Sequence, residues 1–300
     1  MRFLLLLSFL LPLAASAKKQ TEYLDQHYGS HERQIFDLWL PKKKLKKSPL
    51  VIYIHGGGFS IGSKDEMRGH KLLIEKYNKE GIALASINYR YLTHAPLQTI
   101  MREDIAGFVQ FIRYHADEYN INKNLILPYG ISAGASSSLW LATHDDIADK
   151  NSPDPIKRES SRVTAAGHLN GQVSYDYMRW YDFYGKELTD KYIGKQVWSR
   201  YHLNSFEDIF TEEGKKIRAD LDMYGNMTAD DSPLILINNM DDHPDMDGDH
   251  FIHSPHHTRH LAQKAESLGI KTEVLINADG SFSMDAHRAV YRFFTNTLNQ

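Results

Sequence analysis

The chain has 300 residues, a formal net charge of −3 at pH 7 and no cysteine. The absent cysteines exclude disulfides, thiolate chemistry and a lipid-anchored start. The near-balanced charge gives no electrostatic reason to expect nucleic acid or an anionic membrane as a partner.

Residues 1–17 combine a positive start at Arg2, an apolar run from Phe3 to Leu13 and the small residues Ala15-Ser16-Ala17. This pattern predicts a signal peptide cleaved after about Ala17, and so a secreted or periplasmic protein. The run is too short to span a bilayer. Residues 18–300 are then expected to form one soluble α/β domain.

Arg33 to Leu40 alternates apolar and polar residues, a lysine-rich turn follows, and Pro49 to Ile54 is an unbroken apolar run. Such a run predicts a strand covered on both faces. Met67 to Lys79 has helical spacing closed by Gly81, Ile82 to Asn88 reads as a buried strand, and Ile100 to Tyr119 as a second helix. Asn124 to Tyr129 is a strand, Ala133 to Thr143 an apolar helix and Arg162 to Leu169 a strand. From Gln172 to about Asp230 the period fails and aromatic and charged residues mix, which predicts a cap-like insertion over 172–230. Its aromatics Tyr175, Trp180 and Tyr184 are expected either to offer stacking surface to a substrate or, for at least half of them, to form the insertion's own core. Strand and helix resume with Pro233 to Ile237, His257 to Leu268, Lys271 to Ile276 and Asp285 to Leu298. The sum is a doubly wound, mostly parallel sheet with an antiparallel start.

Two motifs carry chemistry. Gly130-Ile131-Ser132-Ala133-Gly134 fits G-x-S-x-G between a strand and a helix, where the glycines permit a sharp turn that lifts the Ser132 hydroxyl clear of the sheet. His55-Gly56-Gly57-Gly58-Phe59 directly follows a buried strand. Its glycines bring backbone N–H groups to a substrate oxygen, so Gly57, Gly58 and Ala133 are the expected oxyanion donors. His55 itself reads as a residue that hydrogen-bonds this loop.

With these motifs, and with Asn88-Tyr89-Arg90 and Asp104 between them, the chain resembles the α/β-hydrolases, in the branch of hormone-sensitive-lipase-like carboxylesterases and bacterial acetyl or feruloyl esterases. The resemblance implies the α/β-hydrolase fold, hydrolysis of short acyl or carbohydrate-linked esters, and an Asp and a His as partners of Ser132. After Pro233 to Ile237 the acid falls on Asp249, with Asp242 as rival. The family places its histidine in a loop after the last strand, but Asn277 to Met284 contains none, and the expected position falls on Gly280 or Ser281. The nearest histidine is His287. Either it or a histidine contributed from elsewhere reaches Ser132, or the triad is incomplete and the protein is a weakly active or non-catalytic binder, since a serine without its base is a feeble nucleophile. An amidase or peptidase would use the same parts.

No cofactor or metal is expected. The acidic loop around Asp241 to Asp249 fails the calcium-loop template, and His256, His257 and His260 lack the H-E-x-x-H pattern.

Overall fold

Along β3 (Ser48–Ile54), Leu50, Ile52 and Ile54 turn into one apolar layer while Val51 and Tyr53 turn into another. That alternation sorts a two-faced sheet between two sets of helices. The computed structural model describes residues 21–42, 47–242, 247–277 and 285–300. The expected signal peptide therefore lies outside the described residues.

Among the described residues the sheet has eight strands in the order β1-β2-β4-β3-β5-β6-β7-β8. They are β1 (Glu22–His27), β2 (Ile35–Trp39), β3, β4 (Ala83–Ile87), β5 (Ile121–Ile131), β6 (Ala166–Leu169), β7 (Leu234–Asn238) and β8 (Thr272–Ile276). β1 and β2 pair antiparallel with their neighbours, and from β4 to β8 all pairs are parallel. β1 was not anticipated: it is a largely exposed edge strand without the apolar alternation that marks a buried one.

The larger helices are α1 (Lys71–Lys79), α2 (Ala106–Tyr114), α3 (Ala133–Thr143), α4 (Met178–Tyr192), α5 (Glu212–Asp220), α6 (Gly248–His253), α7 (Pro255–Leu268) and α8 (Ala286–Leu298). Two expected helices are interrupted. Residues 67–79 divide into a 3-10 turn, Lys64–Gly69, and α1, because Lys64 and Met67 are drawn into the core. There the Lys64 ammonium meets the fully buried Asp37 carboxylate at 2.9 Å. Residues 100–119 begin as a π-helical turn, Ile100–Ile105, before α2. Asp104 in that turn is fully buried and accepts hydrogen bonds from the Arg90 backbone and guanidinium and from Gln34.

Side chains of α1 and α8 join the layer of Val51 and Tyr53, whereas α2, α3, α4 and α7 contribute to the layer of Leu50 and Ile52. Among the described residues no helix is long and apolar enough to cross a membrane. The parallel strands point their C-terminal ends one way, so the loops after β3, β5, β6 and β7 cluster on one edge, the usual place for a site in such a sheet.

Candidate active site

β5 turns directly into α3 at Ser132, whose backbone has φ 54° and ψ −116°. This is a strained conformation for a residue with a Cβ, of the kind held only when its surroundings dictate it. Packing against β3 supplies that constraint. A Cβ on Gly130 would lie 2.3 Å from the Ile54 carbonyl oxygen, and one on Gly134 only 2.0 Å from it. Both positions therefore require glycine. The Ser132 N–H donates to the Leu169 carbonyl at 2.9 Å, which ties the turn to the end of β6.

The glycine loop after β3 sits against this turn: a Cβ on Gly56 would be 3.6 Å from that of Ser132. Gly57 and Gly58 have φ of 99° and 60°, and a Cβ on Gly57 would strike the Ile61 carbonyl at 2.3 Å, whereas the space beside Gly58 is open. Among the described residues, the N–H groups of Gly57, Gly58 and Ala133 donate to no other backbone group. The loop is braced from behind. Tyr89 donates its hydroxyl to the His55 carbonyl at 2.8 Å and stacks on the His55 ring, while His55 Nδ1 lies 2.7 Å from the Gly56 carbonyl. Burial pushes the His55 pKa down to about 4. These contacts give His55 a place in the loop's framework.

The histidine that meets Ser132 is His253, which the sequence reading did not single out. Its Nε2 lies 2.8 Å from Ser132 Oγ. Its Nδ1 lies 3.0 Å from an Asp249 carboxylate oxygen and 3.1 Å from the Asp249 carbonyl. Both neighbours of Nδ1 can only accept, so Nδ1 carries the proton and Nε2 turns its lone pair to the serine hydroxyl. Asp249 and His253 are one turn apart on α6, a spacing that puts them on the same helix face. Ser132, Asp249, His253, Gly57 and Gly58 line a common cleft of about 580 Å³, together with Asn170 and Glu66.

α6 has only six residues, too few to persist by themselves. Asp247 caps its start by accepting from the His250 N–H. At its other end three successive carbonyls each receive a side-chain donor. Gln172 Nε2 donates to Ile252 at 2.9 Å, Asn238 Nδ2 donates to His253 at 2.9 Å, and His257 Nε2 donates to Phe251 at 3.2 Å. The Val173 N–H approaches His257 Nδ1 at 3.3 Å, which makes His257 the neutral Nε2–H tautomer; burial accordingly holds its pKa far below the ordinary range.

The 172–230 segment grips the same helix. Trp180, Tyr184 and Tyr192 surround the buried Phe251 with ring centroids 4.7 to 5.6 Å away. Tyr175, Trp180 and Tyr184 do not line the cleft. Tyr175 and Trp180 are 2% and 1% exposed, so they cannot stack on a substrate as expected. Their apolar surface is spent inside the segment, on α6 and His257, and, for Tyr175, on Phe59 of the glycine loop.

His287 is not brought to Ser132, which corrects the expected base. α8 covers the opposite layer, where His287 Nδ1 lies 3.2 Å from the Tyr129 hydroxyl and its ring stands near those of Tyr53 and His70. Burial and the neighbouring His70 lower its pKa. Gly280 and Ser281 lie outside the described residues. The rival acid Asp242 turns away to Arg259, at 2.6 Å, and to His256, at 3.5 Å. His256, His257 and His260 diverge, since His260 stacks on Phe183 and His257 is enclosed.

Known proteins bear on this geometry. A probable isoprenylcysteine alpha-carbonyl methylesterase from Arabidopsis thaliana is 28% identical over 144 residues, 48% of this chain and 29% of that protein. Gut esterase 1 of Caenorhabditis elegans is 28% identical over 130 residues, 40% of this chain and 23% of that protein. The chain thus spans less than a third of the length of these curated relatives. Among solved structures, a truncated carbohydrate esterase from gut microbiota superposes with a TM-score of 0.68 at 17% identity, over 95% of this chain and 99% of its own, a likeness of fold. The BD-FAE family profile matches residues 36–200, more than half of the chain. With its glycine loop, strained serine turn and eight-stranded sheet, this chain belongs to the BD-FAE family and has the α/β-hydrolase fold.

Proposed function

We propose that the chain is a serine-dependent carboxylic-ester hydrolase acting on short acyl or carbohydrate-linked esters, with Ser132 as nucleophile, His253 as general base and Asp249 as the acid that orients it. The observation that carries this reading is the 2.8 Å contact between Ser132 Oγ and a His253 lone pair whose direction is set by acceptors on the far side of the ring. As Oγ attacks the ester carbonyl carbon, His253 Nε2 takes its proton, and Asp249 stabilises the imidazolium that forms. The carbonyl oxygen becomes an oxyanion beside the Gly57, Gly58 and Ala133 N–H groups, each donor worth about 3 kcal/mol in such sites. His253 then returns the proton to the departing alkoxide oxygen, which leaves as the alcohol. Water, deprotonated by the same ring, releases the acid.

The relatives are named as esterases, one structural neighbour as a carbohydrate esterase, and this supports an ester substrate. Asn170 and Glu66 give the cleft polar groups that a hydroxyl-bearing alcohol portion could meet. An extracellular or periplasmic setting rests on the signal-peptide pattern at residues 1–17. The placement of His253 removes the motive for a non-catalytic binder, which was a missing base. Ser132→Ala is expected to abolish p-nitrophenyl acetate hydrolysis and covalent labelling by a fluorophosphonate; undiminished turnover in that variant would reject the mechanism.

A further inference from the structure

Ser132 and His253 lie on different elements, and the contact between them needs an accuracy well below 1 Å. A hydrogen-bonded path joins the two by a second route. The Ser136 N–H donates to the Ser132 carbonyl at 3.0 Å, one turn along α3. The Gln172 N–H donates to Ser136 Oγ at 2.8 Å, and Ser136 Oγ donates back to Gln172 Oε1 at 3.1 Å. Gln172 Nε2 then reaches the Ile252 carbonyl at 2.9 Å, next to His253. Gln172 and Ser136 are buried, 7% and 0% exposed, so water does not compete for these bonds.

We propose that Gln172 is a positioning residue, a strut between the nucleophile's helix and the base's helix that sets the distance from Ser132 Oγ to His253 Nε2. The other two side chains that hold the end of α6, Asn238 and His257, lie on β7 and α7, which flank α6 in the chain. Gln172 alone among the three links α6 to α3. Because α6 is so short, its position is set by such contacts rather than by its own stiffness. A slip of about 1 Å in a catalytic contact costs on the order of 100-fold in rate.

The inference rests on Ser132 and His253 as the reacting pair, and the test separates the two claims. Gln172→Met keeps length and apolar volume but removes both side-chain bonds, from Ser136 Oγ and to the Ile252 carbonyl, and leaves the main-chain N–H on Ser136 Oγ as the one remaining tie. Gln172→Glu keeps the acceptor for Ser136 and turns an acceptor toward the Ile252 carbonyl. Both are expected to lower kcat on p-nitrophenyl acetate by about 10- to 100-fold with KM within about 3-fold, and to slow fluorophosphonate labelling of Ser132 in parallel. A residue that merely filled space would shift the melting temperature without moving the labelling rate. Folded Gln172 variants that label and turn over like the parent would overturn the strut. Should neither variant fold, Ser136→Ala breaks the same path from its other end; slowed labelling there supports the strut, and parental labelling overturns it. His253→Ala runs alongside. If it labels normally the pairing itself is wrong, whereas an unlabelled His253→Ala beside normal Gln172 variants removes the strut alone.

Discussion

His253 and His287 each follow one of the last two strands, β7 and β8, yet their surroundings differ in kind. His253 has two pure acceptors against Nδ1 and a hydroxyl against Nε2, so its proton has one place to be and its lone pair one direction. His287 faces the Tyr129 hydroxyl, which can donate or accept, and stands beside His70, so among the described residues these contacts select no tautomer. What equips an imidazole as a base is a one-sided hydrogen-bond environment with a nucleophile on the open side. Distance along the chain from the final strand does not provide that.

The contrast is broken most sharply by exchanging the two histidines for alanine in turn. His253→Ala is expected to lower kcat/KM on p-nitrophenyl acetate by about 10⁴-fold or more, and His287→Ala by less than about 3-fold. Steady-state kinetics on both variants checks it, and the reverse ranking would return the base to α8.

Asp249 sharpens the same comparison with a smaller effect. Its carboxylate is 68% exposed, and the main-chain carbonyl of the same residue also faces Nδ1. Asp249→Ala leaves that carbonyl in place, so the tautomer survives while the charge that favours the imidazolium is lost. A fall in kcat of about 10- to 100-fold is expected, well short of His253→Ala. Equal losses in the two variants would show that the carbonyl holds nothing.

A third measurement separates the histidines enclosed by the fold from the one at the cleft. Burial lowers the pKa of His55 and His168 to about 4, and holds that of His257 well below the ordinary 6.5. Between pH 6.5 and 4 the unfolded chain therefore binds protons that the folded chain refuses. Stability is complete above pH 6.5 and falls as pH drops through that window, by up to ~1.4 kcal/mol per pH unit for each such histidine. Urea denaturation between pH 7 and pH 5 is expected to show the decline, with a slope shallower by about one proton in His257→Gln.

Much of the scaffold was open to reading from sequence because its constraints are local. The buried runs before His55 and Ser132 could only be covered strands, and the glycines at 130 and 134 answer to the Ile54 carbonyl. Gly57, Gly58 and Asp249 line one cleft with Ser132, and Ala133 is the next residue in the chain. The proposed base escapes a sequence reading because the family spacing directs attention beyond β8, while His253 stands just before the helix expected from His257. Its signal was nevertheless present: an aspartate followed four residues later by a histidine, just after β7. The aromatic segment misled for another reason. Composition reveals that Trp180 and Tyr184 have surface to bury but not which partner will cover it, and the partner proved to be Phe251.

Placing the proposed acid and base on one short turn makes them a single moving part. If that turn shifts, the pair travels as a unit: the ring keeps its proton and its orienting carboxylate but no longer reaches the hydroxyl. Such a protein has two thresholds on warming. Turnover fades when a six-residue piece loosens, while the eight strands behind it are still intact, so inactivation precedes melting and reports on the hold exerted on that piece.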